Sequence, residues 1–285
     1  MANSAKKDLY LTNDNPLSMP RRSWLTGFGK AALAGVATSA VGLPSADARE
    51  SVQQSPCGAV APSICVFDVN ESLLDIEYMG PLFQRLFGDR SLVREWFNQL
   101  ILYSNAVTLS GPYTTFFTLG QGILKMLGAI HRVSVTDADV DELRTGMLTM
   151  PAHSDVVPGL KQLKEAGSRL VTFTNSPPDP AGNPLKHSDI DGWFEKSFSV
   201  DRVRRFKPAQ QGYHMVAEEL GVPLASLCLV AAHVWDTIGA QSAGWSAALI
   251  SRPGNAPLSV PGLPHPAAVA PDLPGVAAQL IKLWR

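Results

Sequence analysis

The stretch Ile64-Cys65-Val66-Phe67-Asp68 runs an apolar, β-branched segment straight into an aspartate. So short and apolar a run reads as a strand covered on both faces, as in a parallel sheet flanked by helices. Open sheets of that kind carry their chemistry just beyond the carboxyl ends of the strands. Asp68 therefore stands where a reactive group belongs. Two residues later comes Asn70, not a second carboxylate, so the chain lacks the paired acids that would let one carboxylate attack while the other moves a proton.

Downstream, residues 79–150 carry helical periodicity throughout. Leu92, Val93, Trp96, Phe97, Leu100 and Ile101 fall on one face of a helix. Gly111-Pro112 ends it, and a second apolar stretch runs through Phe116, Phe117, Ile123, Leu124 and Leu127. Thr136 with Asp139 caps a third helix bearing Val140, Leu143 and Met147. From Pro151 the pattern switches to alternation: helix over Val157 to Ala166, strand over Arg169 to Thr174, strand over Lys196 to Val200, helix over Ala209 to Leu220. Then follow a strand over Leu227 to Ala232, a helix from Asp236 to Ala243, a strand over Ala247 to Ile250 and a terminal helix from Val276 to Trp284. Alternation of this kind predicts βαβ units and an α/β three-layer parallel sheet. The sheet core takes residues 62–78 and 151–285, and the all-helical segment 79–150 forms a small cap inserted after the first strand. The proline-rich stretch Pro253 to Pro274 reads as a surface loop.

Composition excludes several classes. A formal charge of −1 and a pI near 6.6 supply no basic field for nucleic acid. The three cysteines, Cys57, Cys65 and Cys228, are too few and scattered for a disulfide framework or a zinc site. Cys65 and Cys228 fall in predicted strands and read as buried thiols.

The first 48 residues stand apart from the fold. Arg21-Arg22 precedes an Ala- and Gly-rich stretch from Gly27 to Leu43, which closes on Ala46-Asp47-Ala48. This resembles a twin-arginine signal and predicts cleavage near Arg49, a periplasmic or secreted protein, and the export machinery as a partner. A membrane anchor is the alternative, but the stretch is short and carries Lys30. Residues 49–61 then form a flexible leader.

Strand ends bring Asp68, Thr174-Asn175, Lys207, and His233 with Asp236 to one edge of the predicted sheet. Each alone has a plain structural reading: a helix cap for Asp68, a turn for Asn175-Ser176-Pro177, a solvated basic face for Lys207, a core histidine for His233. Placed together they define a site. Phe67-Asp68-Val69-Asn70-Glu71-Ser72, Thr174-Asn175-Ser176-Pro177, Phe206-Lys207-Pro208 and Ala231-Ala232-His233-Val234-Trp235-Asp236 resemble, in order, the motifs of the haloacid dehalogenase superfamily. The likeness is greatest to its L-2-haloacid dehalogenase (type II) branch. The resemblance implies a Rossmann-like core with a helical cap and the site between them. It implies Asp68 as nucleophile, Lys207 as the family lysine and Asp236 as the acid of the last motif. It places Ser72, Thr174, Asn175 and Tyr213 near the substrate. His233 replaces the asparagine of well-known members, and Phe97 falls where they carry a substrate-gripping arginine.

Chemistry at carbon fits these residues better than chemistry at phosphorus. Asn70 cannot exchange a proton as the second acid of a phosphatase does, and the last motif offers no adjacent acidic pair for Mg²⁺. A halide leaves as a stable anion and needs no general acid. Asp68 would attack the halogen-bearing carbon of a small 2-halo carboxylate to give an ester, Lys207 would orient it, and Asp236 with His233 would activate water. No metal or cofactor is expected. The alternatives are a phosphatase-type hydrolase of the same superfamily and a non-catalytic binding member. A homodimer is one assembly left open.

Overall fold

The computed structural model describes residues 63–285, so the leader and the twin-arginine motif lie outside the described residues. Six parallel strands form one sheet in the order β3-β2-β1-β4-β5-β6. They are β1 (Ile64–Phe67), β2 (Arg169–Thr174), β3 (Lys196–Ser199), β4 (Leu227–Ala231), β5 (Ser246–Ile250) and β6 (Ala268–Ala270). β1, with every residue buried, sits between β2 and β4. This is why its sequence shows no polar alternation.

Nine helices accompany the described strands: α1 (Gly80–Phe87), α2 (Leu92–Ser110), α3 (Phe116–His131), α4 (Asp137–Thr149), α5 (Val156–Glu165), α6 (Pro184–His187), α7 (Gln210–Leu220), α8 (Val234–Ser242) and α9 (Leu273–Trp284). Right-handed crossovers send α5 to one face of the sheet and α7 and α8 to the other, because the chain steps from β1 out to β2 and β3 and then returns to β4, β5 and β6 on the opposite side. α9 joins α5. At Gly159 a Cβ would overlap Leu273, so only glycine lets α5 approach α9 this closely.

The cap is α1 to α4. Trp96 of α2 is buried and donates its Nε1–H to Gly120 O of α3 at 2.9 Å, which locks the two helices together. Gly111, at φ +106, closes α2 in a conformation L side chains rarely adopt. Thr136 and Asp139 form the reciprocal capping box that starts α4.

Three differences from the sequence reading have local causes. The cap holds four helices, since α1 is a short amphipathic segment begun by Pro81. β6 lies inside the stretch read as a loop, because Ala268, Val269 and Ala270 are too few and small to signal a strand among prolines. α6 is a single turn opened by the Asn183 side chain. Cys65 and Cys228 are buried neighbours on β1 and β4, and burial pushes the Cys228 thiol up to about 12. Such thiols are inert. Cys57 lies outside the described residues.

Candidate active site

Register brings the polar residues together. Phe67 pairs with Thr172 on one side and Val230 on the other, so Asp68, Thr174 and Ala231 leave the sheet along one edge. Asp68 N–H donates to Val230 O at 3.1 Å and extends the ladder one bond beyond the strand.

Asp68 is 5% exposed, and its oxygens hold different partners. Lys207 Nζ donates to Oδ1 at 2.8 Å, and Ser72 Oγ donates to Oδ2 at 2.6 Å. The Ser72 hydroxyl accepts in turn from Ala232 N–H at 2.8 Å, which ties the loop after β1 to the end of β4. Burial pushes the Asp68 carboxyl up, but the Lys207 charge and His233 outweigh it and hold the group well below the usual carboxylate range. Asp68 is an anion at neutral pH.

Lys207 is fully buried and spends its three protons on Asp68 Oδ1, Phe173 O at 3.0 Å and Asp236 Oδ2 at 2.5 Å. Burial alone would discharge it, yet Asp236 and Asp68 together hold its pKa above the ordinary value. Its own N–H donates to Asn175 Oδ1 at 2.9 Å, so Asn175 fixes the lysine's loop. Thr174 Oγ1 accepts from Ser176 N–H at 3.1 Å and shapes the same turn.

Asp236 lies on the far side of the Lys207 ammonium from Asp68. It is 0% exposed; Oδ2 faces Lys207 and Oδ1 accepts from Tyr213 OH at 2.6 Å. Burial and the neighbouring Asp68 charge raise its pKa against the pull of Lys207. Tyr213, expected near the substrate, is itself fully buried and bonded to Asp236. Gly239 of α8 allows this packing, since a Cβ there would stand 2.5 Å from Tyr213 OH and from Pro208 Cβ.

One participant had no signal in the sequence reading. Glu71 is 2% exposed at φ +65, a left-handed conformation that glutamate rarely takes. Its Oε2 faces His233 Nε2 at 2.7 Å, and its Oε1 accepts from Asn255 Nδ2 at 2.9 Å and from Arg94 of α2. Arg94 also donates to Glu77 Oε1 at 2.5 Å. His233 Nδ1 stands 3.4 Å from Asp68 Oδ2 and has no hydrogen-bond partner among the described residues. The imidazole thus bridges two carboxylates, with Nδ1 toward Asp68 and Nε2 toward Glu71. Phe97 of α2 is 5% exposed and rests against His233 with ring centroids 5.5 Å apart, while Trp235 stacks on the imidazole at 5.2 Å. The cap thus closes over the histidine with an aromatic ring where an arginine was expected by resemblance. Among the described residues no group of three His, Cys, Asp or Glu side chains is arranged to hold a metal ion.

A buried carboxylate paired with a buried lysine, just past the first strand of a parallel sheet and under a helical cap, points to a hydrolase of the α/β type. The family model for haloacid dehalogenase-like hydrolases matches residues 62–244, and the chain belongs to that family. An (S)-2-haloacid dehalogenase from Pseudomonas fluorescens is 24% identical over 67% of this chain and 85% of its own. The haloacetate dehalogenase H-2 of a Moraxella species is 25% identical over 56% and 71%. A crystal structure of an L-2-haloacid dehalogenase superposes with TM-score 0.70 at 26% identity, covering 79% of this chain and 99% of that one. The fold is shared too with the L-2-haloacid dehalogenase of Xanthobacter autotrophicus, at TM-score 0.67 and 22% identity over 76% and 97%.

Proposed function

We propose that the protein is a hydrolytic dehalogenase of short 2-halo carboxylic acids, yielding a 2-hydroxy acid and halide. The observation that carries this reading is the buried Asp68 carboxylate, paired with Lys207 and faced by the Nδ1 of a histidine held by Glu71. The names of relatives that span most of their own length support it.

In the first step an Asp68 oxygen attacks the carbon bearing the halogen, the carbon–halogen bond breaks, and halide leaves with the bonding pair. Lys207 holds the other Asp68 oxygen, so the attack has one fixed direction and inverts configuration. In the second step water adds to the Asp68 ester carbonyl and gives its proton to a base. His233 Nδ1 is better placed for that role than Asp236, whose oxygens already hold Lys207 and Tyr213 away from solvent. Asp236 and Tyr213 then act through Lys207 as its supports. The tetrahedral carbon collapses, the alkoxide takes up the proton and the hydroxy acid departs.

Two measurements test this. Halide release from a panel of 2-halo acids, with and without a chelator, should show turnover that the chelator leaves unchanged. A single turnover in ¹⁸O-water should put the label into Asp68, not into product. No halide from any member, alongside turnover of a phosphate ester, would replace this reading with a phosphatase.

We further propose that the protein acts outside the cytoplasm after twin-arginine export, on the strength of Arg21-Arg22 and Ala46-Asp47-Ala48.

A further inference from the structure

Helix α2 of the cap meets the candidate site through two residues three positions apart, hence on one face. Arg94 reaches Glu71, and Phe97 rests on His233 with ring centroids 5.5 Å apart. Glu71 and His233 are themselves in contact, Oε2 to Nε2 at 2.7 Å. One face of one cap helix therefore bears on both members of the pair beside Asp68.

Glu71 belongs to the core, in the loop after β1, and it is held from several directions. Asn255 donates to its Oε1 at 2.9 Å from the loop after β5, and His153 Nε2 lies 3.0 Å from its carbonyl where the chain re-enters the core. Gly254, at φ +86, carries the Asn255 loop past the guanidinium, where a Cβ would stand 3.4 Å from Arg94 Nη1. The carboxylate is buried and the guanidinium partly so. In such surroundings a charge pair attracts more strongly than at the surface, and removing one member leaves the other unmet. Asp68 and Lys207 have a different set of ties. They hold each other, and the lysine also holds Phe173 O and Asp236, all residues of the core.

We propose that Arg94 is a positioning residue for the second chemical step: through Glu71 it ties the orientation of His233 to the seating of the cap. The inference rests on the dehalogenase reading, in which His233 takes the proton of the water that attacks the Asp68 ester. Attack on carbon then draws on the core pair of Asp68 and Lys207, whereas hydrolysis of the ester needs the cap helix in place. Arg94 acts through Glu71 and not on the reacting atoms.

The experiment follows 2-bromopropanoate through one turnover and through many, in the wild type and a set of variants. Arg94→Met should release halide in the first turnover as the wild type does. Its kcat should fall about tenfold, as for loss of a group that orients a catalytic one, and the Asp68 ester should accumulate as a mass shift. Arg94→Lys, which keeps the charge, should recover part of kcat, and it carries the same comparisons should Arg94→Met not fold. Arg85→Met breaks cap ion pairs to Asp139 and Glu142 that do not involve Glu71, and should leave both phases unchanged. Arg94→Met combined with Glu71→Gln should be no slower than Glu71→Gln alone, because the two residues act in one chain. Full additivity, or an equal loss of both phases in a folded variant, overturns the inference and leaves the dehalogenase reading standing. No halide from the wild type overturns that reading instead. The ¹⁵N resonances of the His233 ring, assigned with His233→Gln, then decide the coupling. A shift in Arg94→Met but not in Arg85→Met supports it, and unmoved resonances, or equal shifts in both variants, refute it.

Discussion

His233 Nε2 and Glu71 Oε2 lie 2.7 Å apart although 162 positions separate them in the chain. The contact fixes the imidazole's orientation and leaves the opposite nitrogen facing Asp68. Glu71 cannot reach the reacting atoms itself. A carboxylate behind a histidine orients the ring toward the site, and that is the part the geometry gives to Glu71.

Glu71→Gln should keep the contact and remove the charge. Water activation by His233 then weakens while attack by Asp68 is spared, so kcat should fall by about 10²-fold, the scale of general-base assistance. The ester on Asp68 should accumulate and be visible as a mass shift of the intact protein. A variant that loses halide release in the first turnover as well would show that Glu71 serves only to hold the loop.

Much of this site was legible in sequence, and for one reason. Asp68, Asn175, Lys207 and Asp236 follow strands of a parallel sheet, and the alternation of strand and helix places all such positions at one edge. Glu71 left no such trace, because it sits in a turn and its partners arrive from β4, α2 and the loop at Asn255. The resemblance sets Tyr213 near the substrate but does not say which side of Lys207 its ring occupies, and in the fold it lies on the Asp236 side.

Lys207→Met tests the buried charge cluster. It leaves Asp68 and Asp236 facing each other without a cation, and breaking such a buried pair costs about 3–5 kcal/mol. The sign of the pH dependence also changes. In the wild type Asp68 is depressed, so its contribution is present above the ordinary carboxylate value of about 3.9 and is lost as pH falls through the folded value. Lys207 is raised, so its contribution is present below about 10.4 and is lost as pH rises through its folded value. Asp236, raised, has the opposite sign to Asp68 and is a cost at neutral pH that Lys207 offsets. Urea denaturation of the wild type should therefore show a plateau through neutral pH with a decline on either side. In Lys207→Met both carboxyls shift upward, and stability should increase as pH falls from about 7 to 5, the reverse of an ordinary acid transition. A variant as stable as the wild type at pH 7 would contradict this account of the cluster.

Export is tested by changing Arg21 and Arg22 to lysine. The wild type should be recovered outside the cytoplasm with its amino terminus near Arg49, while the double variant should remain inside at full length. Unaltered export and trimming of the variant would refute the twin-arginine assignment.

The last prediction concerns substrate charge. Lys207 is shared by two carboxylates, and Arg94 by Glu71 and Glu77. Phe97 occupies the cap position beside His233 where the resemblance expects an arginine. A 2-halo carboxylate must then be held by neutral donors such as Ser72, Asn175 and nearby backbone N–H groups. Bonds from neutral donors to a charged acceptor contribute about 1.5–3 kcal/mol each, less than a bidentate guanidinium supplies. The wild type should accordingly show a high KM for 2-chloropropanoate. Phe97→Arg places a cation against the imidazole, where Asp68 and Glu71 are already engaged by Lys207, Arg94 and His233. KM should fall by about tenfold, equivalent to about 1.4 kcal/mol of added ground-state binding, with little change in the first-turnover rate. A KM that rises, in a variant that still melts as the wild type does, would mean that the aromatic ring itself grips the substrate's apolar side.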